Sequence, residues 1–177
     1  MRIRPAAPQD VEAIARVHID SWRAAYRGLM PDAVLDRLDY AESAERWTGR
    51  VADKELVALV AETDGTDGSD AGRIVGFALG GHERSGDPVY TAELYAIYLD
   101  PRHLRRGTGT LLVRALAQAL CDRGHRSLLV WVLSANPARH FYTALGAEWV
   151  RAATLTIGGA ELPEEAYGWR DLRQIAG

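Results

Sequence analysis

Apolar positions recur along this chain with two periods, and the change from one to the other predicts its elements. A helical period runs through Val11, Ile14, Ala15, His18, Trp22 and Tyr26, after a candidate cap at Asp10 and before a stop at Gly28. A second helical region opens at Pro31, a favoured first-turn residue, carries Val34, Leu35 and Leu38, and continues with a break through Trp47 and Val51. Leu111, Leu112, Ala115, Leu116, Ala119 and Leu120 give a third helix a wide apolar face, closed by Gly124. A short fourth helix, PARHFYTAL (Pro137 to Leu145), ends at Gly146. Between these lie seven strand-like runs: Arg2–Arg4, Leu56–Ala61, Ile74–Gly80, Tyr90–Leu99, Ser127–Leu133, Val150–Ile157 and Ala166–Leu172.

The runs ELYAIYL and LLVWVL are apolar on both faces, which places them at the centre of a sheet covered on both sides. Hairpin-like neighbours early and late, with one strand–helix–strand crossover around the third helix, predict a mixed sheet. The fold class is α/β of the mixed α+β kind, with about four helices flanking the sheet. Within ELYAIYL, Leu94, Ile97 and Leu99 share a face only if the strand carries a bulge, a feature often found beside active sites.

The 177 residues are expected to form a single domain, 1–177. A formal charge of −3 argues against a nucleic-acid partner bound through a basic face. The longest apolar run, LLVWVL, is too short to span a bilayer, and MRIRPAAPQD has no apolar signal region. With one cysteine, Cys121, no internal disulfide forms, which fits a reducing compartment. A cytoplasmic protein without membrane contact is the expectation. DGTDGSDAG (Asp64 to Gly72) reads as a long hairpin loop; its aspartates lack the order and closing glutamate of a calcium loop, so no metal is expected.

The stretch LRRGTGTLL (Leu104 to Leu112) carries the chemistry. It sets Arg105 and Arg106 before a Gly-Thr-Gly turn that opens the third helix. A helix start presents unpaired amides and partial positive charge, so it suits a phosphate, and Gly107 and Gly109 let one approach closely. It is not a P-loop, because Thr110-Leu111 follows the last glycine where a lysine and a serine or threonine are needed. Nor is it a dinucleotide-binding turn, since the third glycine is missing and the turn sits mid-chain.

LYAIYLDPRHLRRGTGTLLVRAL resembles the signature of the GNAT superfamily of N-acetyltransferases, and NPARHFYTALGAE is similar to its second, Asn-to-Phe-Tyr-x-x-x-Gly, motif. WRAAYRGLMPD and AYGWRDL also look like one bacterial branch of the superfamily, so the resemblance spans nearly the whole chain. One position departs from the pattern: Leu104 stands where Gln or Arg is usual. The resemblance implies a seven-stranded mixed sheet splayed at its centre, with acetyl-CoA as cosubstrate in the V. It implies backbone contacts to the pantetheine arm from Ile97, Tyr98 and Leu99, and pyrophosphate contacts from Arg105, Arg106, Gly107, Thr108, Gly109 and Thr110. Asn136 would bond the pantetheine from the far side, and Tyr142 would protonate the departing thiolate.

The acceptor would be a primary amine. An alkyl ammonium is mostly protonated at neutral pH, a penalty of roughly 4–5 kcal/mol before attack, so a base helps. Glu93 matches a position where many relatives carry an acid. Trp22, Tyr26 and Arg23, with Tyr167 and Trp169, are candidates to line the amine pocket; the two first-helix aromatics read equally well as core. A small-molecule amine is the first expectation and a protein N-terminus or lysine the second. A CoA-binding regulatory module without turnover is the reading from a different class, and a homodimer is compatible with all of these.

Overall fold

The computed structural model describes residues 1–65 and 71–176. Seven strands form one sheet: β1 (Arg2–Pro5), β2 (Val57–Glu62), β3 (Ile74–His82), β4 (Ala92–Leu99), β5 (Leu128–Leu133), β6 (Glu148–Ile157) and β7 (Ala160–Trp169), in the order β1-β2-β3-β4-β5-β7-β6. All neighbours are antiparallel except β4 and β5, which are joined by the crossover helix. The helices are α1 (Val11–Tyr26), α2 (Asp32–Asp36), α3 (Tyr40–Ala52), α4 (Thr108–Asp122), α5 (Arg139–Ala144) and α6 (Arg173–Ala176).

The break expected in the second helical region is real. The Asp39 carboxylate accepts from the amides of Ala41 and Glu42 (2.8 and 3.0 Å), which starts α3 as a separate helix. The last strand differs from expectation at both ends. It begins at Ala160, because Gly158 and Gly159 both adopt positive φ (57° and 81°) and fold Ile157 back as a tight hairpin. It stops at Trp169, so Leu172 belongs to the turn into α6 and is fully buried there. The centre of the Asp64–Gly72 loop lies outside the described residues.

Two cores cover the sheet. α4 packs Leu112, Leu116 and Leu120 on Leu94, Leu128 and Val130. α1 and α3 pack Ile14, Val17 and Trp47 on Val60, Phe77 and Leu79 across the other face. Strand β4 serves both cores by breaking its alternation. Its pairing with β3 slips between Leu79 and Gly80, leaving Tyr95 as the extra residue of the expected bulge. Leu94, Ile97 and Leu99 therefore join the α4 side, while Tyr95, Ala96 and Tyr98 join the α1 side.

The sheet parts early. β4 and β5 pair only through Ala92–Leu128, Glu93–Leu129 and Leu94–Val130, and beyond that point they diverge. Pairing on the outer flanks continues, so the divergence opens a V without dividing the sheet.

The packing gives two substitutions of opposite sign. A Cβ on Gly168 in β7 would lie 2.4 Å from the Tyr90 ring, which is buried between strands and loop. Gly168→Ala should cost about 1–3 kcal/mol through overpacking, lowering the melting temperature by about 2–4 °C per kcal/mol. Gly49 sits inside α3 with nothing near its missing Cβ. Gly49→Ala should raise stability by about 0.5–1 kcal/mol, because helical glycine has only chain entropy to lose. Thermal melts of the two variants check both signs, and an unchanged Gly168→Ala melt would overturn the packing argument.

Candidate active site

The turn after β4 is built around one carboxylate. Asp100 accepts from the Arg102 amide (3.0 Å), from Arg102 Nε and Nη2 (3.0 and 2.7 Å) and from Arg73 Nη2 (2.9 Å). Hydrogen bonds from Arg102 outweigh burial and hold its pKa down at about 2, so the anchor stays ionised through the working range. The chain then makes a short 3-10 turn, Pro101–His103, and passes two left-handed residues, Arg105 (φ 58°) and Gly107 (φ 81°), before α4 begins at Thr108. The α4 carbonyl ladder starts from Gly107, so the first amides of the helix have no intrahelical acceptor and face outward. Gly109 sits in a tight space: a Cβ there would meet Phe141 at 3.3 Å and Leu99 at 3.4 Å.

From this helix start a cavity of about 760 Å³ runs into the V. Leu104, Arg105, Gly107, Gly109 and Thr110 line its mouth, while Arg106 and Thr108 do not; Thr108 is buried as the first residue of α4. Ile97, Tyr98 and Leu99 line the β4 side. The Asp100 amide bonds Val75 on β3 (2.8 Å), so by alternation Leu99 and Ile97 turn their backbone groups towards the V. One of these is already taken, as Ser21 Oγ of α1 donates to the Leu99 carbonyl (2.7 Å). Those of Ile97 lie where the β5 ladder has ended.

Asn136 and Tyr142 stand on the opposite side of the V. Asn136 is buried, and its Oδ1 accepts from the Ala138 amide (2.9 Å) in the turn that leads into α5, while its side-chain NH₂ has no such bond among the described residues. Tyr142 is 6% exposed, packed beside Phe141 and Trp169. Burial, and then the Tyr26 hydroxyl, push its pKa well above that of an ordinary phenol. Tyr98 is raised in the same way by burial, with Tyr26 and Tyr142 contributing. Tyr26, Tyr98 and Tyr142 line one cavity together.

Trp22 and Tyr26 of α1 are wall residues, in edge-to-face contact at 5.2 Å. Three other candidates are not. Trp169 is core and donates its indole N–H to the Leu145 carbonyl (2.8 Å). Tyr167 is buried and bonds Glu165 (2.6 Å), and Arg23 is spent on the carbonyls of Leu38 and Leu35. Glu93 is buried below the bulge, outside the wall, and its carboxylate is held by Arg84, whose Nε donates at 3.0 Å and whose Nη2 closes the pair. Arg84 in turn lies 4.2 Å over the Tyr95 ring.

Sequence reasoning missed Met30, Trp131, Leu133, Leu155 and Ile157, all in the wall. The Gly158-Gly159 dipeptide was the available signal for the last two, because it fixes a hairpin whose tip reaches α2. A Cβ on Gly158 would lie 2.4 Å from Val34 Cγ2.

A mixed sheet opened between two parallel strands, with an amide-rich helix start at one end of the opening and a buried phenol at the other, is the architecture of an acyl-carrier-dependent transferase. The FR47-like protein family model matches residues 87–155, which span β4, the glycine turn, α4, β5, α5 and most of β6. The uncharacterized N-acetyltransferase YuaI of Bacillus subtilis (strain 168) is 36% identical over 173 residues, 98% of this chain and 95% of that protein. The fold is shared with PaiA N-acetyltransferase from Thermoplasma acidophilum, solved in complex with coenzyme A (TM-score 0.72, 19% identity, 94% of this chain and 98% of that one). It is also shared with YncA, a putative acetyltransferase from Salmonella typhimurium solved with acetyl-CoA (TM-score 0.71, 23% identity, 97% and 94%). The chain belongs to the GNAT superfamily of N-acetyltransferases and is an acyltransferase. No helix among the described residues is long and apolar enough to cross a membrane, and no cluster of metal-ligating side chains occurs among them.

The wall is backed by an uncharged histidine. His18 lies edge-on to Trp22, Trp47 and Tyr98 (5.1, 5.6 and 5.3 Å), with Nδ1 buried and without a partner. Burial, then the charges of Arg50 and Arg46, pull its pKa from 6.5 to about 4. The folded state binds the proton less well than the unfolded chain, so stability is complete above about pH 6.5 and declines until about pH 4. The ceiling on that loss is roughly 3 kcal/mol. Urea unfolding at pH 7 and pH 4 should show a smaller acid loss in His18→Phe than in the parent; equal losses would mean that His18 is not the group titrating.

Proposed function

We propose that the chain moves the acetyl group of acetyl-CoA to an amine by direct attack of nitrogen on the thioester, with Tyr142 serving the leaving sulfur. The observation that carries this reading is the continuity of one cavity from the α4 start, past the unpaired edge of β4, to the buried Tyr142. The residues present fit the carrier. The amides at Gly107 to Thr110 and the Arg105 guanidinium suit its pyrophosphate. The free groups of Ile97 and the Asn136 NH₂ suit its pantetheine amides. Bound there, the carrier supplies an activated acyl group.

In the transfer the nitrogen–carbon bond forms, the carbon–sulfur bond breaks and negative charge gathers on sulfur. Tyr142, kept protonated by burial, is always able to donate to that charge. No carboxylate or imidazole stands among the described wall residues, so the proton of the attacking nitrogen leaves through water. Glu93 holds Arg84 over Tyr95 instead of acting as the direct acceptor.

Tyr142→Phe tests the reading. Turnover should fall by roughly 10²–10⁴ while acetyl-CoA affinity and melting temperature change little, because the loss is confined to the transition state. Equal turnover at saturating amine, with chemistry rate-limiting, would remove the assignment. Gly109→Asp should place a carboxylate between Phe141 and Leu99 at the cavity mouth, and calorimetry should then show weakened acetyl-CoA binding by a folded protein. For Glu93→Gln the pH–rate profile should overlay that of the parent; a displaced profile would make Glu93 the proton acceptor.

A further inference from the structure

The acetyl-transfer reading leaves the acceptor open, and the composition of the cavity wall narrows it. Away from the glycine turn the wall includes Trp22, Tyr26, Met30, Trp131, Leu155 and Ile157, and its polar side chains, such as Ser21, Asn136 and Tyr142, are uncharged. Among the described wall residues Arg105 is the single charged side chain, and it belongs to the turn at the other end. Several charged groups on neighbouring elements lie outside the wall and are engaged, among them Arg151, which lies 5.2 Å over the Trp131 ring and pairs with Asp87. Glu93 holds Arg84, Glu165 accepts from the Tyr167 hydroxyl, and Asp20 accepts from Tyr40 (2.7 Å). Glu164 on β7 is outside the wall too, and burial, then the nearby Glu93 carboxylate, raise its pKa and so disfavour its charged form.

A second ammonium or a carboxylate on the acceptor would therefore give up its water with no opposite charge to meet it, which is strongly unfavourable. An apolar body gains from the same wall, and the paired rings of Trp22 and Tyr26, with Trp131 on β5, present faces and edges suited to a flat ring. We propose that the acceptor is a monoamine carried on a flat apolar body, of the arylalkylamine class, and that the site rejects amines bearing any second charge.

The test uses the full chain with acetyl-CoA and three amines, following release of free CoA. 2-Phenylethylamine carries the proposed features; phenylalanine adds only a carboxylate to it; spermidine supplies further ammonium groups. We expect kcat/KM for 2-phenylethylamine to exceed that of each of the others by at least 100-fold. Phenylalanine or spermidine turned over as well or better, or none of the three turned over by protein that binds acetyl-CoA, would overturn the acceptor class. Protein that fails to bind acetyl-CoA would instead remove the transfer reading beneath it. Leu155→Asp, at a position 37% exposed where a carboxylate is tolerated, gives a second measure. It should shift the ratio of kcat/KM for 2-phenylethylamine over spermidine towards spermidine by at least tenfold, and an unmoved ratio would likewise overturn the proposal.

Discussion

Everything at the site follows from backbone groups that the sheet leaves unpaired. β4 loses its β5 partner after Leu94, yet Ala96 to Leu99 remain extended because β3 holds their other edge. Buried amides and carbonyls without partners are costly, so a fold that parts its sheet must supply replacements. The protein supplies one itself, the Ser21 hydroxyl on the Leu99 carbonyl. The groups left facing the V are offered to a ligand that can lie against the strand as a further strand would. The bulge at Tyr95 makes this workable, since it returns Leu94, Ile97 and Leu99 to the α4 core while the strand bends away.

Much of this was legible in the residues because it is local. The Gly-Thr-Gly turn lies within nine residues, and the two-faced hydrophobicity of ELYAIYL and LLVWVL placed both strands centrally. The spacing of Leu94, Ile97 and Leu99 lets them share a face only with a bulge, and the strand has one at Tyr95. Asp39 as a cap, and Gly158-Gly159 as a hairpin turn, had readable signals of the same local kind and were not used. What no local pattern contains is the partner of a long side chain. Glu93 reads as an available acid until Arg84 is found closing on it from nine residues away, across a loop. Tyr167 and Trp169 read as pocket aromatics because alternation fixes which residues share a face, not which face meets the cavity. Both belong to the α4 core.

The buried hydroxyls explain how a hydrogen-bond donor persists in an apolar wall. A carboxylate or imidazole placed where Tyr142 stands would carry a desolvation penalty in its charged form, and its protonation state would vary with its surroundings. A phenol faces neither difficulty: burial only moves it further from ionisation, which keeps it a donor. His18 behaves in a comparable way. Set among rings, it is driven neutral and acts as one more aromatic body behind Trp22 and Tyr98.

The two halves of the cavity differ in how the chain builds them, and that difference has a consequence for specificity. The half proposed for the carrier comes from one continuous segment, β4 through α4, completed by Asn136 and by Tyr142 on the short helix α5. Its geometry is fixed by a few contacts such as Asp100 with Arg102 and Gly109 against Phe141. The half proposed for the acceptor is assembled from α1, the segment before α2, β5 and β6, which meet only in the folded state. Met30 and Leu35 pack on Leu133, with Ile157 and Val34 beside them, and the Gly158 tip fits under Val34. Substitutions at Leu155, Ile157 or Met30 alter the wall without touching the glycine turn. Side chains there contribute no backbone pairing to the V, so the acceptor wall is free to vary while the parted sheet is not.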